Sequence, residues 1–375
     1  MDQITSHAAF AEKYVSASFA GTGNNHCLRG EVDPGRGRCA YPITKEGTYA
    51  FSFLFQNQVD STFDAGQESY GDLMGGEWRI GGALVGVSSD PTASLTTPLT
   101  FGGETEKSVA PGEIFASDEV ILTVKEGEYL CIAFDYQGRD IPYTPDKSLI
   151  PTFREVDGEC RPDTKFPQPV LVGCRREARE VTFLGDSITQ GLGTEPFAYA
   201  FWVARLAKML PSSVAVRNLG LGFARAEDAA KNGVWLKKAK TAKDVVLCLG
   251  TNDLLQRSRR GDGDLARLVF EDIRKTALLL KEAGARVLLL SVPPFDWEGA
   301  ALEAWKDVNL RLQNEVAPLL DGFFDTARVW GKEPPRENEA AYTDARSGSH
   351  PNGEGGRAMA EALYPYLVKF LHLQA

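Results

Sequence analysis

From residue 181 onward, short apolar runs alternate with amphipathic helical stretches, and this alternation restricts the fold more than any other feature of the chain. The runs Val181–Leu184, Val214–Leu219, Asp244–Leu249, Val287–Val292 and Phe323–Asp325 have the length and composition of strands. Helical stretches fall around 197–210, 227–240, 264–284 and 302–317. A last one, near 354–371, carries Met359, Leu363, Leu367 and Leu371 at four-residue spacing. Such repetition predicts an α/β domain whose parallel sheet is covered by helices on both faces. Any ligand site then sits at the carboxyl ends of the strands.

The first third has a different period. In Tyr49-Ala50-Phe51-Ser52-Phe53-Leu54-Phe55 every second residue is aromatic, as in a strand with one buried face. A sugar platform is the weaker reading of that stripe. Residues 119–136 read as a hairpin about the turn Lys125-Glu126-Gly127-Glu128, and Trp78–Ile80 and Leu84–Val87 as further short strands. Many short strands punctuated by Gly, Pro and Asp predict an all-β sandwich or jelly roll. The stretch 137–178 holds Pro142, Pro145, Pro151, Pro162, Pro167 and Pro169 and reads as a connection. The chain of 375 residues thus divides into a β-sandwich over 1–165 and a second domain over 176–375.

A formal charge of -10 with no basic run disfavours nucleic acid and anionic membrane surfaces as partners. MDQITSHAAFAEKY has neither the basic nor the apolar segment of a secretory signal, and no apolar run approaches membrane-spanning length. Cys27, Cys39, Cys131, Cys160, Cys174 and Cys248 show no C-x-x-C spacing. They read as free thiols in a reducing cytoplasm, with a Cys27–Cys39 bridge as the alternative. No metal site or cofactor is expected.

The chemistry gathers where the strands end. Phe183-Leu184-Gly185-Asp186-Ser187-Ile188-Thr189-Gln190-Gly191 leaves an apolar run and presents a serine hydroxyl beside backbone N–H groups. The plainer reading is a helix-capping serine. Asn218-Leu219-Gly220-Leu221-Gly222-Phe223 follows the second strand and Gly250-Thr251-Asn252-Asp253 the third, while Ser349-His350-Pro351-Asn352-Gly353 precedes the last helix. A hydroxyl nucleophile needs a neighbouring base. Of His7, His26, His350 and His372, the sequence context puts three at solvent and leaves His350 as that base. Gln256–Asp262 reads as a solvated loop, or less readily as a rim to the site.

These four blocks, in this order, resemble the SGNH/GDSL hydrolase superfamily over roughly residues 180–375. Leu99–Gly103, Ala110–Glu113 and Ser117–Asp118 resemble, more distantly, the β-sandwich that precedes such domains in carbohydrate acetylesterases. The resemblance implies a flavodoxin-like α/β domain with Ser187 as nucleophile and His350 as base. Oxyanion donors would come from the Ser187 N–H, a backbone N–H at Gly222 or Phe223, and the Asn252 amide. In the family an Asp commonly stands three residues before the histidine, where this chain has Ser347. Asp344 is then the candidate orienter, and a Ser–His dyad held by a backbone carbonyl is the alternative. The expected activity is removal of short acyl groups, acetyl above all, from carbohydrate esters such as acetylated oligosaccharides. The alternatives are a lysophospholipase or thioesterase on the same fold, and a carbohydrate-binding protein with a decayed hydrolase domain.

Overall fold

The computed structural model describes residues 3–60, 63–64, 67–68, 73–146 and 149–373. The chain forms two compact units, Met1–Glu180 with Pro211–Arg217, and Val181–Leu210 with Asn218–Ala375. No helix among the described residues is long and apolar enough to cross a membrane.

The first unit is built on eight principal strands: β1 (His26–Pro42), β2 (Gly47–Gln56), β3 (Trp78–Ser88), β4 (Val120–Val124), β5 (Tyr129–Tyr143), β6 (Thr152–Val156), β7 (Glu159–Pro162) and β8 (Leu171–Arg175). One antiparallel sheet runs Val15–Ser16, β8, β2, β4; the other runs β7, β6, β1, β5, β3 and Thr97–Pro98. The core lies between them. Phe51, Phe53 and Phe55 from β2 meet Cys39, Tyr41, Ile132 and Phe134 from the other sheet, and all are at most 1% exposed. The aromatic stripe is therefore a strand interior, and the platform reading of it is excluded. The rings pack edge-on and stacked: Phe55 lies 5.2 Å from Phe115, parallel to it, and 5.5 Å from Phe134 at 85°.

Two expectations need correction. Residues 119–136 do contain two strands and a turn, with Glu128 N–H donating to Lys125 O. The strands do not form a hairpin, however, because β4 pairs with β2 while β5 pairs with β1 and β3. The turn carries the chain from one sheet to the other, since Val124 and Leu130 both enter the core between them. The stretch 137–178 is likewise no connection. It completes β5 and supplies β6, β7 and β8. Its prolines misled because they sit where proline is tolerated, such as the end of edge strand β7 (Pro162), or outside strands altogether (Pro145, Pro151, Pro167, Pro169).

In the parallel sheet, strands β9 (Arg179–Gly185), β10 (Val214–Gly220), β11 (Asp244–Cys248), β12 (Arg286–Leu290) and β13 (Gly322–Phe324) lie in the order β10, β9, β11, β12, β13. The ladders β9–β11, β11–β12 and β12–β13 are parallel. The principal helices are α1 (Ser187–Gln190), α2 (Trp202–Met209), α3 (Thr251–Arg260), α4 (Leu265–Glu282), α5 (Gly299–Arg311) and α6 (Gly353–Phe370). In chain order the strands run 2-1-3-4-5, the flavodoxin-like arrangement, whose crevice opens beyond the carboxyl ends of the first and third strands. Here those are β9 and β11. The stretch 227–240 proves to be two short helices, Ala226–Ala229 and Val234–Ala239, with Asn232 at a φ of 61° between them. Around 302–317, α5 runs on into a π turn, Leu312–Val316.

We expect Phe55→Ala to destabilise the first unit by about 3–5 kcal/mol, the usual cost of removing a buried ring. The change of Ile121, which is 73% exposed, to Ala is expected to leave stability within about 0.5 kcal/mol. Urea unfolding followed by tryptophan fluorescence measures both.

Candidate active site

Ser187 follows β9 directly because Gly185 and Asp186 let the chain turn there. A Cβ on Gly185 would lie 2.6 Å from the Cys248 carbonyl oxygen, so only glycine lets β9 approach the end of β11 so closely. Asp186 then caps α1, its carboxylate accepting the Ile188 N–H at 2.9 Å. At the other end of this single turn Gly191, at a φ of 115°, returns its N–H to Ser187 O. The hydroxyl of Ser187, a residue 8% exposed, lies 2.8 Å from Nε2 of His350.

His350 Nδ1 is 2.9 Å from the carbonyl oxygen of Ser347. A carbonyl can only accept, so Nδ1 carries the proton and Nε2 presents its lone pair to the Ser187 O–H. Burial holds the imidazole pKa below its ordinary 6.5, and the Ser347 carbonyl acts in the opposite sense. The ring is therefore neutral at pH 7 and able to take a proton. Asp344 is not at the imidazole. Its carboxylate accepts the Arg346 N–H at 2.8 Å and pairs with the Arg346 guanidinium at 3.3 Å. The loop bends back on itself so that Ser347 O, and not that side chain, meets the ring. His7 and His26, read as solvent-exposed, are buried at 5% and 7% exposure. His7 Nε2 is 2.7 Å from Gln56 Oε1, so it is a core histidine. His372 is exposed.

The second and third blocks close around the same sheet edge. A Cβ on Gly220 would lie 2.2 Å from the Gln190 nitrogen, so β10 packs directly on α1. Leu221 N–H donates to Gly185 O at 3.0 Å, which ties the start of the turn holding Gly222 and Phe223 to the end of β9. Asn252 stands in the first turn of α3 and donates one amide N–H to Ala224 O at 3.0 Å. Its neighbour Asp253 accepts the N–H groups of Ala226 and Glu227 at 2.9 and 3.0 Å. Burial pushes Asp186 up to about 7, with the charge of Asp253 adding to it, and Asp253 up to about 6, with the charges of Asp228 and Asp272 adding to it. Gln256–Arg260 belongs to α3 and is not a loop. Arg257 is buried and pairs with Asp272 at 2.6 Å, so it neither faces solvent nor rims the site. The apolar count of that stretch is too low to betray a helix.

Sequence reasoning missed the segment after β12. Phe295 lies 5.2 Å from the His350 ring at an interplanar angle of 81°. Asp296, at a φ of 55°, accepts the Ala340 N–H at 3.0 Å and the Ser349 hydroxyl. The available signal was position: Pro293–Trp297 follows a strand at the carboxyl edge, as the other blocks do. Gly193 was missed too. At a φ of 99°, a Cβ there would lie 2.7 Å from the His350 Cβ, so the loop after α1 backs directly onto the histidine. Among the described residues no group of three or more His, Cys, Asp or Glu side chains could hold a metal ion.

A hydroxyl, a neutral imidazole and a fixed tautomer on one sheet edge can carry out acyl transfer. Comparison with known proteins agrees in class. The model of the GDSL-like lipase/acylhydrolase family matches residues 183–358. No curated protein matches the chain. Similar solved structures include the psychrotrophic esterase EstA from Pseudoalteromonas sp., 16% identical over 52% of this chain and 99% of that one, with a TM-score of 0.40. TesA is 26% identical over 51% of this chain and 99% of its own, with a TM-score of 0.38. The protein YXIM from Bacillus subtilis is 13% identical over 89% of this chain and 80% of its own, with a TM-score of 0.39. By the family match, the chain carries over residues 183–358 a domain of the GDSL-like lipase/acylhydrolase family, whose members are carboxylic ester hydrolases.

Proposed function

We propose that the protein is a serine esterase that removes short acyl groups, acetyl above all, from carbohydrate esters. The observation that carries the chemistry is the 2.8 Å contact from Ser187 Oγ to a histidine whose other nitrogen is tied to a backbone carbonyl. Ser187 Oγ attacks the ester carbonyl carbon as its proton passes to His350 Nε2. The tetrahedral oxyanion is held by the N–H groups of Ser187 and Gly222 and by the Asn252 amide. Asn252 has a second N–H to give, since one goes to Ala224 O. Collapse expels the alkoxide, which takes the proton from His350 and leaves an acyl-Ser187. Water, deprotonated by His350, then releases the carboxylate and restores the serine.

The carbohydrate reading is supported by the β-sandwich unit ahead of the hydrolase domain. It is also supported by Phe197 and Phe223, which are 39% and 47% exposed on the loops after α1 and β10. Both hold positive φ, a conformation costly for a bulky side chain, and exposed rings there suit the C–H face of a sugar. The same two rings favour the second reading, an acyl-chain lysophospholipase or thioesterase.

Ser187→Ala is expected to lower kcat by roughly 10⁴-fold or more without changing the fold, and unchanged esterase activity would overturn the assignment. In the wild type kcat/KM is expected to stay level above pH 7 and to fall with acid through one ionisation below 6.5, because protonation removes the base. A pH series with a nitrophenyl ester reads this directly. For the substrate, nitrophenyl acetate is expected to exceed the decanoate in kcat/KM by about tenfold or more, with acetate released from acetylated oligosaccharides. Faster cleavage of the long chain would establish the second reading instead.

A further inference from the structure

The strand-end segment after β12 has no part in the proposed reaction, yet its Phe295 ring lies 5.2 Å from the histidine. We propose that Phe295 is a positioning residue for His350, holding and drying its imidazole, and that Asp296 latches the two loops together through Ser349. The proposal rests on the reading of Ser187 and His350 as nucleophile and base.

The imidazole has two anchors in its own plane, Ser187 Oγ at 2.8 Å and Ser347 O at 2.9 Å. Hydrogen bonds in that plane do not stop the ring from rocking out of it. Phe295 supplies what is lacking, a ring set at 81° and 5.2 Å, the edge-to-face geometry that aromatic pairs prefer. Gly193 packs against the base of the same side chain, where a Cβ would lie 2.7 Å from the His350 Cβ and 2.8 Å from the Pro351 carbonyl oxygen. The next residue keeps Phe295 there. Asp296 adopts a φ of 55°, which aspartate reaches more readily than most residues, and so turns its carboxylate back toward the histidine loop. One oxygen takes the Ala340 N–H and the other the hydroxyl of Ser349, the residue directly before His350. Trp297 fixes the far side, its indole N–H on Pro293 O at 2.9 Å and its backbone N–H on Asn338 O at 3.3 Å. The loop after β12 is thus tied to itself and to the histidine loop, with Phe295 at the junction.

Phe295 also keeps water from the ring. The charged groups around His350 are Asp296 after β12, Glu195 on the loop after α1, Asp344 and Arg346 on its own loop, and Glu354 on α6. Glu195 and Asp344 pair with Arg346, and Glu354 with Arg357. The depressed pKa of His350 traces to burial, which the Ser347 carbonyl opposes, and to none of these charges. Opening the Phe295 side to solvent therefore raises it.

The test uses the full chain with Phe295→Ala, Phe295→Leu and Asp296→Ala, each checked for an unchanged melting temperature. In Phe295→Ala we expect kcat to fall about tenfold with KM little changed. The acid limb of kcat/KM should move up in pH toward 6.5. Phe295→Leu, which keeps an apolar cover, should restore both. Asp296→Ala should move the limb in the same direction by less. An acid limb unmoved in Phe295→Ala overturns the proposal, as does a Leu variant no better than Ala. Failure of the underlying reading looks different: esterase activity would survive Ser187→Ala, whatever Phe295 does.

Discussion

One imidazole, held at both nitrogens, is the contact on which the second unit is organised. Nδ1–H can be donated to Ser347 O only if the loop before α6 bends back on itself. Nε2 can meet Ser187 only if that loop lies over the end of β9. The sheet order makes this possible. Placing β10 on one side of β9 and β11 on the other opens a crevice at their carboxyl ends, into which three separate loops deliver side chains. Two glycines pay for the closeness: Gly185 lets β9 reach the end of β11, and Gly220 lets β10 reach α1.

Beneath the serine the fold accepts an electrostatic cost. Asp186 and Asp253 are both buried, and each accepts N–H groups at the start of a helix, the favourable end of its dipole. Those bonds offset burial only in part, so Asp186 rises from 3.8 to about 7 and Asp253 to about 6. The sign follows from linkage. Folding makes these acids hold their protons more firmly, so their contribution to stability is full below pH 3.8. It declines as pH rises toward 6 and 7, where the folded state must ionise them. The site floor is thus held together by polar groups whose best stability lies on the acid side. What they provide in return is fixed geometry: Asp186 sets where α1 begins, and Asp253 ties α3 to the start of the short helix Ala226–Ala229 that follows the turn carrying Gly222.

The α/β alternation, the strand positions and the blocks around Ser187, Asn252 and His350 were legible because each depends on local pattern. Strand runs are short and apolar, and turns at strand ends must carry Gly, Asp or Asn. Several failures were questions of partner. Whether β4 and β5 pair with each other is decided by which sheet each joins, and the turn between them looks the same in either case. The prolines of 137–178 read as a linker because a sequence does not reveal which strands are edges. Phe295 was hidden for a related reason, since a phenylalanine after a strand looks like core until the histidine is seen beside it. His7 and His26 show the reverse: a place near the N-terminus and a Gly/Asn loop both imply surface, yet both side chains are buried.

The carbonyl on Nδ1 has a chemical consequence that a carboxylate would not have. A carboxylate favours the imidazolium by its charge and would raise the histidine pKa; a backbone carbonyl offers only a dipole. With the ring buried as well, the pKa falls below 6.5, so His350 stays a neutral base further into the acid range. In the proposed reaction the same arrangement makes it a weaker base and leaves the imidazolium less stabilised. Rigidity has to supply what charge does not. A carbonyl orients a ring only as well as the backbone that bears it is held, and here that backbone is tied by Ser349 to Asp296 and by Arg346 to Glu195. Replacing the carboxylate of a triad by a carbonyl therefore moves the burden from one side chain to the loops around it, and those loops become part of the site.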